Sequence, residues 1–549
     1  MPVTDLLERN AKLYGSETAL VEINPEIQEK RKRTWKDYDL IMPTATTAYR
    51  REITWQVFDE KANRVANMLL DRGIGKGNKV AILLMNCLEY LPLYFGILKT
   101  GAVAVPMNFR FSADEIEYCL KLSDTDVLFF GPEFIGRIEE IADDIGENRL
   151  LLYVGTGVCP TFAEDYDEQV VNFSSAAPLV RLEEDDDAAI YFSSGTTGFP
   201  KAILHNHESL SQAARMEQKH HETSREDCFL CIPPLYHTGA KFHWMGSLFA
   251  GSRAVLLKGN TPRAILSAVS QEHCTIVWLL VPWAQDILDA LDSGKLKLSD
   301  YETSQWRLMH IGAQPVPPSL IKHWLDYFPN HKYDTNYGLS ESTGPGCVHL
   351  GMENIHKVGA IGIPGYGWEN KIVMEDGVTE VRPGEVGELC VKGPGGMTCY
   401  YNDPKATAEV LSPDGWLRTG DMAMQDPDGF IYLVDRKKDV IISGGENIYP
   451  VQIEDFLRTN DSISDVAVIG LPDKRLGEIT AAIIQVKEGH SLTEEDVNRF
   501  CMALPRYKRP RKVILADVPR NATGKIEKPR LREMYGGKNL VAEQNEIQV

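Results

Sequence analysis

The chain of 549 residues carries 58 Lys and Arg against 78 Asp and Glu, a formal net charge of -20, and at roughly 100–200 residues per domain it is long enough for three or four folded units. That acidic balance excludes general affinity for nucleic acid or anionic membrane, both of which need clustered cations, and leaves small anions open. With 43% apolar and 25% charged residues, it has the composition of a folded globular protein. No run of about eighteen apolar residues predicts a transmembrane helix, and MPVTDLLERN lacks the basic-then-apolar order of a signal peptide. The expected compartment is the cytoplasm. Ten cysteines are too dilute for a disulfide scaffold. The one C-x-x-C pair, Cys228 and Cys231, lies in DCFLCIPP, which reads as a buried strand.

In chain order, the polar stretch 24–51 reads as a surface insertion. KVAILLM from Lys79 predicts a strand buried on both faces, followed by a helix around 88–98 and a second strand in AVAVP. Ser112 and Glu115 form a capping box for the next helix, and DVLFF near Val127 is a third strand. EEDDD at 183–187 reads as a solvated linker. Strands return in SRAVLL from Ser252, CTIVWLLVP from Cys274 and WRLMHIG from Trp306. This alternation predicts right-handed crossovers and α/β sheets. Beyond Lys357, short strands punctuated by Gly and Pro predict a small β-structure. From Arg436 onward, 19 Lys and Arg face 17 Asp and Glu, about +2, which leaves -22 on the remainder and predicts a separate C-terminal domain.

The most informative segment is AIYFSSGTTGFPKAILHNH from Ala189. A strand runs into Ser193, Ser194, Gly195, Thr196, Thr197 and Gly198, with Lys201 after them. Glycines admit a phosphate chain close to the backbone, hydroxyls and amides donate to its oxygens, and lysine adds charge. The spacing is not that of a Walker A loop. The segment resembles the phosphate loop of the AMP-forming acyl-adenylating superfamily, which holds acyl-CoA synthetases, peptide-synthetase adenylation domains and luciferases. Four further matches follow in the family's order: DTNYGLSESTG at Asp334, GWLRTGD at Gly415, DGFIYLVDRKKDVIISGGENIYPVQIE at Asp428 and PRNATGKIEKPRLR at Pro519. The resemblance implies an α/β fold: a large N-terminal domain of two doubly wound sheets plus a small β-barrel, hinged to a small α+β C-terminal domain. It places the N-terminal domain at 1–437, with subdomains near 1–180, 181–356 and 357–437, and the mobile C-terminal domain at 438–549.

The implied reaction joins a carboxylate to the α-phosphate of ATP, expels pyrophosphate, and passes the acyl group to the thiol of coenzyme A. Glu341 matches the family's Mg2+ ligand, as suits a hard cation, and Ser340 keeps the hydroxyl that touches the α-phosphate. Asn336, Tyr337, Gly338 and Leu339 complete that motif; Tyr337 matches the ring stacked on adenine, with Gly312, Ala313 and Gln314 opposite. Asp421 matches the acceptor of both ribose hydroxyls, Arg436 a second ribose and phosphate contact, and Lys438 the hinge. Lys525 matches the lysine whose charge serves adenylation, where losing such a donor costs about 100- to 1000-fold. Its P-x-x-x-x-G-K setting also matches the pattern around lysines that are reversibly acetylated in related synthetases, and the resemblance implies a protein acetyltransferase as a partner. Ser443, Gly444 and Gly445 match the lining of the pantetheine channel.

For the acid, His237, Gly239, Trp278 and Val281 match acyl-pocket positions, and His237 matches the ring that gates the pocket. No aspartate stands there to hold an ammonium, so an amino acid is disfavoured. Trp278 favours a short, branched, alicyclic or aromatic acid. Lys241 is read either as meeting a second carboxylate or as a solvent-facing tip over a buried stem. The run RYKRPRK at 506–512, with Arg506 and Lys508, suits the 3′-phosphate of coenzyme A or a plain solvated face. No carrier-protein segment follows Lys525, which favours free coenzyme A. Carrier-protein loading, the ATP-forming direction, an idle ATP-binding homologue and a homodimer remain open.

Overall fold

The computed structural model describes residues 1–25, 34–35, 38–39, 48–146, 149–193, 200–312, 316–443, 446–520 and 526–536. Two large sheets dominate the N-terminal part. In the first, the strands Lys332–Asp334, Leu308–Gly312, Ile276–Leu280, Cys228–Cys231, Arg253–Leu257 and Thr18–Ile23 run parallel, and Arg50–Thr54 closes one edge antiparallel. In the second, Val103–Pro106, Lys79–Leu83, Val127–Phe130 and Leu150–Tyr153 are parallel beside Asp187–Phe192, which turns back antiparallel into Ala202–Asn206.

The apolar runs form central strands because both faces are covered. On Lys79–Leu83, Val80 and Ile82 face the helices packed between the two sheets, whereas Ala81 and Leu83 face the outer helices Ala113–Leu122 and Ile135–Gly146. Between the sheets lie the helices Trp55–Asp71, Tyr90–Lys99, His207–His220 and Thr238–Ala250, whose Phe58, Phe95 and Trp244 rings interlock. The expected capping box is present, with Ser112 accepting from the Glu115 amide and Glu115 accepting from the Ser112 amide.

Two smaller antiparallel sheets follow, Asn336–Gly338 with Pro345–Val348 and Ile363–Pro364, and Glu369–Val373, Val386–Lys392, Leu417–Gln425 and Ile431–Arg436. Backbone bonds from Ile361 to Ile431 and from Ile431 to Gly362 join them around one apolar core. From Ile441 onward a mixed sheet centred on the paired strands Ile463–Asp473 and Gly477–Val486 has its own core. This is the expected α/β architecture with a smaller C-terminal domain.

The expected insertion is narrower than 24–51. Arg50 and Arg51 belong to an edge strand, held by Arg50–Glu272 (2.6 Å) and Arg51–Glu22 (2.6 Å), and Asn24 bonds Tyr49; most of the stretch lies outside the described residues. The expected linker at 183–187 is likewise tied down. Asp186 pairs with Lys76 at 2.6 Å, and Asp187 begins a strand. The Cys228–Cys231 segment is the expected buried strand, and its thiols are free. Among the described residues, no helix is long and apolar enough to cross a membrane.

Candidate active site

One cleft of about 2340 Å³ opens where the C-terminal ends of the two large sheets meet the small sheets and the C-terminal domain. Its wall brings together Ser193, Lys201, His237, Gly239, Trp278, Val281, Asn336, Tyr337, Gly338, Leu339, Ser340, Glu341, Asp421, Arg436 and Lys438. These come from five segments far apart in sequence.

The hairpin carrying the hydroxyl-rich loop closes where the Ser193 amide donates to the Lys201 carbonyl at 3.1 Å. Ser194 to Gly198 lie outside the described residues. Lys201 Nζ stands 4.6 Å over the Tyr400 ring, and the Tyr400 hydroxyl donates to Glu341 Oε1 at 2.8 Å. Tyr400 is absent from the sequence reading, although its Tyr-Tyr-Asn turn sits beside the hairpin. Burial, and then Glu341, push its phenol well above the ordinary value, so it stays a donor.

Glu341 lies on the short helical turn Ser340–Ser342, whose shape is fixed on three sides. The Met397 amide donates to the Glu341 carbonyl at 2.7 Å, Ser342 Oγ bonds Leu339, and the ring of His205 donates to the Ser340 carbonyl at 2.8 Å. Ser340 Oγ lies 3.4 Å from Thr238 Oγ1. Burial lowers His205 to about 3, so its imidazole is neutral.

Asp421 is almost fully buried and directly opposite Arg436 in the antiparallel register. Arg436 Nε lies 2.6 Å from Asp421 Oδ1, and the Tyr337 hydroxyl donates to Oδ2. Three residues assigned separately from sequence thus form one connected group, and Tyr337 holds the carboxylate as well as offering a ring face. Gly312 ends its strand beside Thr335 and Trp278, set back from the cleft wall, and Ala313 and Gln314 lie outside the described residues.

His237 caps the helix Thr238–Ala250, with Nδ1 accepting from the Gly239 amide at 3.2 Å. Trp278 faces the cleft and stacks on His243, centroids 4.3 Å apart and planes within 10°. A Cβ on Gly239 would meet Trp278 Cη2 at 2.8 Å, so glycine is what lets the indole close this end. Lys241 corrects both readings of it. It is fully buried and absent from the cleft wall, with Nζ donating to the Tyr191 hydroxyl at 3.3 Å and lying 4.0 Å over the Tyr94 ring. Burial drives its amine well below the ordinary value.

Behind Trp278 the structure gathers four histidines that the sequence reading missed, His220, His221, His243 and His310, with Glu217 and Asp334. The i, i+4 spacing of Glu217 and His221 was the available signal. On the C-terminal side, Lys438 lies on the turn Lys437–Asp439. Asp435 accepts from the Val451 amide at 2.9 Å, Asp439 pairs with Arg532 at 2.7 Å, and Lys528 with Glu454 at 2.9 Å. Arg520 and Ile526, which flank 521–525, line the cleft; Lys525 itself lies outside the described residues. Ser443, Arg506 and Lys508 do not line it, Lys508 donating instead to Gln452 at 2.6 Å. Gly444 and Gly445 lie outside the described residues.

Comparison with known proteins bears on this geometry. The AMP-binding enzyme family matches residues 27–401, and its C-terminal domain family matches 452–525. The chain is 33% identical to the long-chain-fatty-acid–CoA ligase FadD13 of Mycobacterium tuberculosis over 88% of this chain and 93% of that one. It is 31% identical to the indoleacetate–CoA ligase of Aromatoleum aromaticum over 92% and 98%. The solved Mycobacterium tuberculosis fatty acyl CoA synthetase superposes with a TM-score of 0.73 at 30% identity, covering 97% of this chain and 98% of that one. The chain therefore belongs to the AMP-binding enzyme family and is an AMP-forming acyl-CoA synthetase, an acid-thiol ligase of the acyl-adenylating superfamily.

Proposed function

We propose that this enzyme activates a compact carboxylic acid, branched, alicyclic or aromatic, as its acyl-adenylate and transfers it to coenzyme A. The observation that carries the substrate class is the closure of the acyl end by Trp278, stacked on His243 and seated against Gly239. The names of the two sequence relatives span a long-chain fatty acid and indoleacetate, so pocket shape, and not family membership, has to decide.

Asp421, with both oxygens already oriented by Tyr337 and Arg436, is placed to take the ribose hydroxyls of ATP, which a carboxylate accepts in pairs. Lys201 and Ser193 at the mouth of the hairpin meet the phosphates, and Ser340 Oγ with Thr238 Oγ1 faces the carboxylate and α-phosphate between them. Such fixed donors act mainly by positioning two anions and offsetting their repulsion. Glu341 fits a hard divalent cation, being a cleft carboxylate oriented by Tyr400, and Mg2+ bound there would neutralise phosphate charge.

We further propose a two-body organisation, 1–437 and 438–549, hinged at Lys438. Arg520 and Ile526 at the cleft, with Ser443 away from it, support an arrangement suited to adenylation, in which Lys525 serves the phosphate and the pantetheine channel forms only after the C-terminal domain turns. A panel of acids assayed for ATP-dependent pyrophosphate release and for thioester tests the substrate class. Compact acids should exceed long unbranched ones in kcat/KM by at least tenfold; a preference for long chains would refute it.

A further inference from the structure

We propose that Glu217, His221 and His243 form a binding site for one divalent transition-metal ion, of the zinc or cobalt(II) class, at the closed end of the cleft. Glu217 and His221 lie four residues apart at the end of the helix His207–His220, and His243 reaches them from the neighbouring helix Thr238–Ala250. One donor atom from each lies within 4.8 Å of the others. His221 Nδ1 is 3.4 Å from Glu217 Oε2, and His243 Nε2 is 3.9 Å from Glu217 Oε1. Metal bonds of about 2.0–2.1 Å in a tetrahedral site put donors roughly 3.3 Å apart, so the three need only a small inward movement.

The rings are held as ligands would be. His243 Nδ1–H donates to the Gly239 carbonyl at 2.5 Å, which leaves the Nε2 lone pair turned toward Glu217. His221 Nε2 is tied to His310 Nδ1 at 3.0 Å, leaving Nδ1 for the site. Fixing one ring nitrogen so that the other is free is how proteins orient metal-bound imidazoles. Glu217 supplies the second indication. Its side chain is fully buried, Oε2 has no hydrogen-bond partner, and among the described residues no lysine or arginine pairs with it. A buried carboxylate without a cation is costly, and an ion between it and two imidazoles removes the cost.

Asn336 Nδ2 donates to Glu217 Oε1 at 3.2 Å and to His243 Nε2 at 3.3 Å, so the ion enters on the Oε2 side and His243 exchanges the amide for the metal. The neighbouring set of His220, His221, His310 and Asp334 competes less well, because His220 and Asp334 already pair at 2.8 Å. Two nitrogens and one oxygen select against Mg2+, which separates this site from Glu341. Glu217, His243 and Asn336 line the cleft, which supplies the path of entry. Occupancy would pin His243, and with it the stacked Trp278.

The test uses the untagged full chain, stripped with a chelator and titrated with zinc in excess Mg2+, with a parallel cobalt(II) titration followed by visible absorption. The expected result is one equivalent of zinc per chain and cobalt bands without thiolate charge transfer. Glu217→Gln and His243→Gln should each weaken zinc binding by at least about tenfold, since loss of even an outer-shell partner costs that much, with Cys228→Ser as an unaffected control. Thermal melts establish that the variants fold, and if one does not, the other and the wild-type cobalt spectrum decide. Absence of a stoichiometric site, a thiolate-type cobalt spectrum, or unchanged binding in a folded variant overturns the proposal.

Discussion

Asp421 owes its geometry to two partners that the chain supplies from different segments. Arg436 faces it across the ladder and Tyr337 reaches it from a different sheet. Replacing Asp421 with Asn removes the charge that both partners meet. At roughly 1.5–3 kcal/mol for a hydrogen bond to a charged group, kcat/KM for ATP should fall about 10- to 100-fold, read from pyrophosphate release at limiting ATP. Tyr400→Phe tests a subtler link, since Tyr400 orients Glu341 and carries Lys201 over its ring. It should raise the Mg2+ concentration for half-maximal rate by about fivefold, the value of one net hydrogen bond near 1 kcal/mol, and leave the KM for the acid unchanged. The motif residues were legible because each sits in a short fixed string. Tyr400 and His243 were not, since their roles arise only from packing between segments, and Lys241 misled because a lysine in an apolar helix is usually a surface group.

At the scale of elements, the floor of the proposed acyl pocket is built by one strand and one helix. Trp278 projects from Ile276–Leu280, and Gly239 on Thr238–Ala250 makes room for it. Trp278→Ala should therefore open the pocket, raising kcat/KM for an acid one or two methylenes longer by about tenfold, in line with roughly 1–3 kcal/mol per methylene-sized change. It should also cost about 3–5 kcal/mol of stability, as truncation of a buried aromatic does. A variant that folds but keeps the original acid preference would show that Trp278 does not set chain length. The central strands were readable from sequence because burial on both faces demands unbroken apolar runs, as in KVAIL and IVWLL. Arg50–Thr54 was not, because an edge strand meets solvent on one side and RREIT looks like loop; its pairing is settled by Glu22 and Glu272 on neighbouring elements.

For the whole molecule, stability should fall in mild acid. Burial holds His205 at about 3 and His207 and His331 at about 4, against an ordinary 6.5. Below 6.5 the unfolded chain binds protons that the folded one refuses, so stability is present above that value and falls as pH drops toward 4. Each group contributes up to about 1.4 kcal/mol per pH unit. Asp435, raised by burial to about 6, works in the opposite direction over part of that interval, as do the raised carboxyls of Asp5, Asp167, Asp187, Asp286 and Asp455 and the raised His220. His221, His310 and His349, lowered by burial, add to the loss in acid. Denaturation midpoints should therefore decline from pH 7 to pH 5, and a flat or rising profile would be inconsistent with neutral buried imidazoles. The charge split suits the proposed hinge as well: the acidic bulk lies before Arg436, while the slightly basic remainder carries Lys525. Lys525→Gln should slow acyl-adenylate formation about 100- to 1000-fold yet still convert a supplied acyl-adenylate and coenzyme A to thioester; equal loss of both steps would contradict a lysine dedicated to adenylation.

The most direct measurement is product stoichiometry with the best acid of a panel, ATP, Mg2+ and coenzyme A, followed by chromatography and mass spectrometry. One AMP, one pyrophosphate and one acyl-CoA per turnover, with acyl-adenylate accumulating when coenzyme A is withheld, is the predicted result. ADP and phosphate as products, or AMP release without thioester from every acid, would contradict it.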